Sequence, residues 1–418
     1  MSRETIITNI KGLWLPIHSD IRVIRGSELN KTNLLENAWL LIRDGIIQGF
    51  GQMDSLETDV HENSRLAANR IDADGRFVLP SFCDAHSHLV FAAWRENEME
   101  MRLQGKTYLE IAEQGGGILN SARRLEETPE EILFEAAWNR LQELIRLGTG
   151  ALEIKSGYGL SLEAELKMLR VIRSIREKSP IPIRATFLGA HAIPKRFNHR
   201  HEYIELVTQS MIPAVAEQGL ADYCDVFCDK GFFTQEETEE ILEQGLRYGL
   251  KPKVHANELA RSGGVQAGVK LGAVSVDHLE CMEEEELLLL AGSNTIPVLL
   301  PGTAFFLGIH PPDARSMIAY DLPVALSSDY NPGTCPSGNM EFVVSMASTM
   351  LKMQVSEALH AATVNSSFAM NLENETGRIA VGRKANLLIT KQIPSLSFMP
   401  YHFGQSSIDT VLVNGEKV

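Results

Sequence analysis

Phe77-Val78-Leu79-Pro80-Ser81-Phe82-Cys83-Asp84-Ala85-His86-Ser87-His88 is the stretch on which the reading of this chain turns. Its apolar run predicts a short buried strand. Residues two apart on a strand point to one face. His86 and His88 can therefore aim at one point just beyond the strand's carboxyl end. Two converging imidazoles are half of a first-row metal site. A solitary His-x-His is also common at surfaces and caps, so the reading depends on partners at equivalent positions elsewhere.

Outward from this strand, the middle of the chain alternates strand and helix. Glu130 to Leu147 carries apolar residues at 133, 134, 137, 138, 141, 144 and 145, a helical stripe. Strand-like runs follow at 151–155, 183–188, 225–228, 253–255, 273–278, 296–300 and 324–329, with helical stretches at 162–175, 235–248 and 283–291 between them. With the opening strand, eight strands alternate with helices over residues 76–374, which predicts a (β/α)8 TIM-like barrel. A doubly wound open sheet is the alternative, weakened because no Gly-x-Gly-x-x-Gly follows the first strand. Residues 1–75 and 375–418 read differently. Ala38–Ile42 and Gly45–Phe50 flank a turn at Arg43-Asp44, and Asn414-Gly415 marks a hairpin near the end. The two termini are expected to build one small β-sandwich domain.

Bulk properties narrow the function. Thirty-nine basic residues against 54 acidic ones give a net charge of −15, which argues against nucleic acid and anionic membrane as partners. The first 16 residues lack the pattern of a signal peptide, and no apolar run approaches a membrane span. Cys83, Cys224, Cys228, Cys281 and Cys335 are odd in number and scattered, as expected of reduced thiols in a cytoplasmic protein.

In a barrel, chemistry collects at the carboxyl ends of strands. Read in order, those ends carry His86 and His88, Lys155-Ser156-Gly157-Tyr158, His191, His255-Ala256-Asn257-Glu258, Asp277-His278 and Asp329. His86, His88, His255 and Asp329 offer three imidazoles and one carboxylate, a set suited to one divalent or trivalent ion, Zn or Fe, with a position left for water. Such an ion makes hydroxide available at neutral pH. The plainer readings are a core histidine at 255 and a turn residue at 329, since Asn331-Pro332-Gly333 follows. Glu258, three residues past His255, is placed to shuttle a proton. His278 can polarise a carbonyl or hold a leaving nitrogen, and His191 can do the same from another wall. Two-metal barrel hydrolases often bridge their ions with a carboxylated lysine on strand 4; Lys155 falls on strand 2, and Lys230, just past strand 4, keeps a two-metal site open.

These segments resemble the amidohydrolase superfamily and, within it, the imidazolonepropionase family. The resemblance rests on His86-Ser87-His88-Leu89-Val90-Phe91, Gln114-Gly115-Gly116-Gly117, Glu153-Ile154-Lys155-Ser156-Gly157-Tyr158-Gly159, Gly189-Ala190-His191-Ala192, Val276-Asp277-His278-Leu279 and Ser328-Asp329-Tyr330-Asn331-Pro332-Gly333-Thr334. It implies hydrolysis of the cyclic amide C–N bond of 4-imidazolone-5-propanoate to N-formimino-L-glutamate, a step of histidine degradation. It implies metal ligation by His86, His88, His255 and Asp329, and catalytic work by Glu258, His278 and Asp329. It implies substrate contacts from Arg95, Tyr158, His191, Glu258, Asn331, Gly333 and Thr334, and a homodimer. Arg95 and Tyr158 suit the propanoate, and the 331–334 loop is expected to offer backbone donors near the metal. The chain departs from the family at Ala92-Ala93-Trp94, which sets a bulky ring beside Arg95 at the expected mouth of the site. Two other functions compete. One is an aminohydrolase on a nitrogen heterocycle, distinguished by ammonia release. The other is a non-catalytic barrel scaffold, disfavoured because all four ligand positions are filled.

Overall fold

The structure, a computed structural model, describes residues 3–18, 20–60, 69–106, 110–111 and 114–418. The chain opens with β1 (Glu4–Leu15), β2 (Asn33–Arg43), β3 (Ile46–Gln52), β4 (Asn69–Asp72) and β5 (Phe77–Pro80). The β2–β3 turn is Asp44-Gly45, one residue later than the sequence predicts. The two-residue hairpin turn needs positive φ at both positions, which Asp44 (50°) and Gly45 (80°) supply.

The deciding stretch is two strands. β5 pairs with β1, whereas β6 (Phe82–Asp84) pairs with β7 (Thr149–Lys155). Ser81 is the crossing point: its N–H donates to Asn386 O, and the next N–H, of Phe82, donates to Gly148 O. Pro80 precedes the crossing and has no N–H to keep the chain in the first sheet. The barrel continues with β8 (Ile183–Ala190), β9 (Tyr223–Cys228), β10 (Lys251–Ala256), β11 (Ser275–His278), β12 (Ile296–Leu299) and β13 (Ala325–Leu326). All eight lie parallel in chain order. Helices such as Glu130–Arg146, Leu162–Lys178 and Gln235–Arg247 pack their apolar stripes against the outer faces.

The first and last strands meet beyond their own ends. Asp329 N–H donates to His86 O at 3.0 Å and His88 N–H to Tyr330 O at 2.8 Å. Ala85 N–H donates to Ser327 Oγ at 2.9 Å, and Ser328 N–H to Asp84 Oδ1 at 3.0 Å. The opposite mouth is plugged by the 370–371 segment, where Met370 O accepts from Tyr223 Oη at 2.6 Å and from Arg184 Nε at 3.1 Å.

β14 (Leu387–Thr390), β15 (Ile408–Val413) and β16 (Glu416–Lys417) return to the N-terminal strands. The order is β16-β15-β14-β5-β1-β2-β3, with β4 on β1. Both halves of this mixed sheet contribute to one apolar core of Ile7, Ile10, Leu40, Ile47, Val78, Leu387, Ile389 and Leu412.

Candidate active site and metal centre

The strand ends deliver the donors the sequence singles out. His86 Nε2 and His88 Nε2 lie 3.5 and 3.6 Å from Asp329 Oδ1, and His255 Nε2 lies 3.5 Å from His88 Nε2. Metal–ligand bonds of about 2.0–2.2 Å in a tetrahedron require neighbouring donors roughly 3.3–3.6 Å apart. His86 Nε2 is buried and has no hydrogen-bond partner among the described residues, as suits an atom placed to meet a Lewis acid. The donor set and its spacing therefore fit a divalent metal. Burial depresses the pKa of all three imidazoles well below 6.5, helped by the Lys155 charge at His86 and His255 and by His191 at His88. They are neutral at pH 7, the form in which an imidazole can hold a metal. Asp329 sits at φ 54°, and its Oδ2 accepts a hydrogen bond from Thr303 Oγ1.

Beneath the histidines lies a layer that sequence reading missed. His86 Nδ1 is 2.7 Å from Asp277 Oδ2, and His255 Nδ1 is 3.0 Å from Asp225 Oδ2. Such carboxylates fix the tautomer and rotation of a ligating imidazole. Lys155 Nζ joins them, 2.7 Å from Asp225, 2.9 Å from Glu153 and 3.3 Å from Asp277. Lys253 pairs with the other oxygen of Glu153. All five side chains are fully buried. Burial pulls the Lys155 pKa down, but Asp225, Glu153 and Asp277 outweigh it and hold the ammonium well above 10.5. The two-metal alternative is corrected here: Lys155 is a charged partner of three carboxylates, and Lys230 is exposed.

A cavity of about 370 Å³ opens above the donors. Of the expected substrate residues, Arg95, Tyr158, His191, Glu258, Asn331 and Thr334 border it, together with His88, His255, His278 and Asp329. Arg102, Lys106, Ile118, Phe227 and Phe232 also line it and were not anticipated. Arg102 lies in the last turn of the polar helix Glu96–Leu103 and Lys106 three residues beyond its end, in a stretch that carries no motif.

Tyr158 is held by the buried Glu165, whose carboxylate accepts the N–H groups of Gly157, Gly159 and Leu160 at 3.2, 2.7 and 2.9 Å. His191 Nδ1 lies 3.0 Å from Gly157 O, and burial lowers its pKa to about 4. Gly157 has φ +107° and lies so close that a Cβ there would stand 2.8 Å from His191 Nδ1. Arg95 is buried and 3.1 Å from Glu98.

The 331–334 loop differs from expectation. Its Gly333 and Thr334 N–H groups donate to Asn331 Oδ1 at 2.8 and 2.7 Å, so they close an Asx turn and do not face a ligand. Gly333 does not border the cavity. Its bare Cα is needed because a Cβ would lie 2.1 Å from the Arg95 guanidinium carbon. Trp94 also departs from expectation. Its ring packs on Phe91 and Tyr330, at centroid distances of 4.7 and 6.0 Å, and does not line the cavity.

Two further groups complete the wall. His278 Nε2 is 3.8 Å from Glu258 Oε2. Burial pushes Glu258 up to about 8, against the pull of the His278 charge. Burial works against protonation of His278, but Glu258 and Glu280 raise it to about 10. The pair therefore keeps an exchangeable proton near neutral pH.

A barrel with convergent donors at its strand ends, a buried carboxylate and imidazole beside them and a small cavity above defines a metal-dependent hydrolase. Comparison with known proteins agrees with this class. The profile of the amidohydrolase family matches residues 77–418. The fold is shared with guanine deaminase of E. coli (TM-score 0.72, 15% identity, 99% of this chain and 98% of that one). It is also shared with an adenosine deaminase of Xanthomonas campestris described with bound zinc (TM-score 0.72, 14% identity, 99% and 92%). Much nearer in sequence are the imidazolonepropionases of Christiangramia forsetii (47% identity, 99% of both chains) and Flavobacterium johnsoniae (48%, 99% of both). The chain belongs to the amidohydrolase family and, within it, to the imidazolonepropionases.

Proposed function

We propose that this chain hydrolyses 4-imidazolone-5-propanoate to N-formimino-L-glutamate. The observation that carries the reading is one cavity bordered both by metal-suited donors (His88, His255, Asp329) and by Arg95 and Tyr158. Near full-length identity to imidazolonepropionases supports it. A ring with an anionic tail fits such a space: the carboxylate pairs with Arg95 and Tyr158 while the ring carbonyl lies against the donors.

The metal we assign to His86, His88, His255 and Asp329 is Zn or Fe; when bound it supplies Lewis acidity and a water activated at neutral pH. The protein's own groups do the rest. Water adds to the ring carbonyl carbon, and Glu258 or Asp329 takes its proton. A pKa near 8 lets Glu258 both take and return a proton close to neutrality. His278 donates to the oxygen on which negative charge develops. The proton then passes to the ring nitrogen as the C–N bond breaks, leaving a carboxylate and the formimino group. His191 and Asn331 hold the ring in place.

The same reading makes the protein a cytoplasmic homodimer acting on a small anion. All five cysteines are free, and no helix among the described residues is long and apolar enough to cross a membrane. The test is incubation of metal-loaded protein with freshly prepared imidazolone propanoate, following loss of its ultraviolet absorbance with and without chelator. Chelator-sensitive turnover is expected, and no turnover overturns the proposal. Ammonia released in step with substrate loss would instead identify a deaminase.

A further inference from the structure

The barrel's sixth strand ends in an unusual reversal. His278 and Leu279 both have positive φ, 82° and 71°, a conformation that is costly for side chains of their size. The reversal is held by Leu279 N–H to Ala256 O at 3.1 Å, Cys281 N–H to Asn257 O at 2.8 Å and Asn257 Nδ2 to Cys281 O at 3.0 Å. It folds Glu280 back against the imidazole. The Glu280 side chain is 2% exposed, and neither of its oxygens has a hydrogen-bond partner among the described residues. His278 Nδ1 is equally buried and equally unpartnered, and the two groups lie 3.8 Å apart. On the other side of the ring, Nε2 lies 3.8 Å from Glu258, which borders the cavity. Glu280 does not border it.

We propose that Glu280 is the positioning residue for His278: it takes the Nδ1–H of the imidazole and so fixes the ring with Nε2 toward Glu258 and the cavity. A buried carboxylate without a donor is strongly disfavoured. His278 Nδ1 is the cationic or imidazole nitrogen within ion-pair reach of Glu280 among the described residues. A side-chain rotation of under about 1 Å converts the pair into a charge-assisted hydrogen bond, and catalytic hydrogen bonds commonly tighten only on ligand binding. Glu280 stays outside the cavity, so it acts through His278 and not on substrate.

The inference rests on the ring-opening reading for its kinetic arm and on nothing but the protein for its spectroscopic arm. Glu280→Met fills a similar volume but cannot accept a hydrogen bond. It is expected to lower kcat about 10–100-fold with KM within about twofold and metal content unchanged. Glu280→Gln retains an acceptor oxygen and should recover most of the loss. A purely space-filling role predicts the opposite order, so Met performing as well as wild type, or Gln no better than Met, overturns the proposal. The wild-type protein gives an independent answer through long-range 1H–15N correlation of labelled histidine rings, assigned with His278→Gln. A protonated Nδ1 on His278 supports the inference whether or not the variants fold, and a bare Nδ1 overturns it. A protonated Nδ1 in a protein that leaves imidazolone propanoate intact would sink the function and keep the positioning role.

Discussion

Within the terminal sheet, Ile7, Ile10, Val78, Leu387 and Leu412 are enclosed and wholly apolar. Inside the barrel, Glu153, Lys155, Asp225, Lys253 and Asp277 are just as enclosed and wholly ionisable. The first group gains roughly 1.5–3 kcal/mol for each side chain removed from water. The second gains little net stability, because desolvating charges offsets most of what their pairing returns. What the charged group provides is position: Asp225 and Asp277 hold His255 and His86, and Lys155 holds both carboxylates. The contrast teaches that stability and chemistry draw on separate interiors of one chain.

The most severe way to probe that contrast is at the site itself. Asp329→Ala should lower turnover on the order of 10³-fold and lose its metal on dialysis, read by assay and metal analysis. A variant that kept both would show the ligand set to be wrong. Next comes the charged interior. Lys155→Met leaves Glu153 with Lys253 but Asp225 and Asp277 with no cation, only the neutral rings of His255 and His86, and should cost about 3–5 kcal/mol in denaturant unfolding. A neutral outcome would mean that the carboxylates do not depend on it. In the apolar interior, Leu387→Ala should cost about 2–4 kcal/mol while kcat and metal content stay at wild-type values. A fall in kcat of the folded variant would break the separation.

The mildest probe sits at the joint between the two regions. His360 lies 3.0 Å from Lys31 O through Nε2, packs near Trp14 at 5.0 Å, and burial lowers its pKa to about 4. The folded chain keeps it neutral while the unfolded chain protonates below about 6.5. Its contribution is complete above that pH and declines as pH falls toward 4. The decline is on the order of 1–3 kcal/mol. His360→Gln should remove that share of acid sensitivity, measured as the difference in unfolding free energy between pH 7 and pH 4.5.

The eight barrel strands were legible because each is a short apolar run between glycines and amphipathic helices, and the donors were legible because barrel chemistry lies at strand ends. The break at Ser81 was not, because Phe77 to Cys83 is apolar apart from that one small residue and periodicity cannot show a change of sheet. The charged layer had a signal of its own. Glu153-x-Lys155, Lys253-x-His255 and Ser275-x-Asp277 repeat the two-residue spacing of His86-x-His88. Its meaning depends on pairings 70, 100 and 191 residues apart, which local pattern cannot supply. The Asn331 loop misled for a related reason: the same N–H groups can face a ligand or their own Asn, and only the folded turn decides.

The seam between the first and last barrel strands has a consequence in time. It is fastened by backbone bonds of His86, His88 and Asp329, residues whose side chains are also the donors. A chain made from its N-terminus carries two of those donors early, the third much later and Asp329 last. A growing chain can therefore offer histidines to a metal ion long before it can offer a full cage. The full set of four donors exists only once the strand that closes the ring is in place.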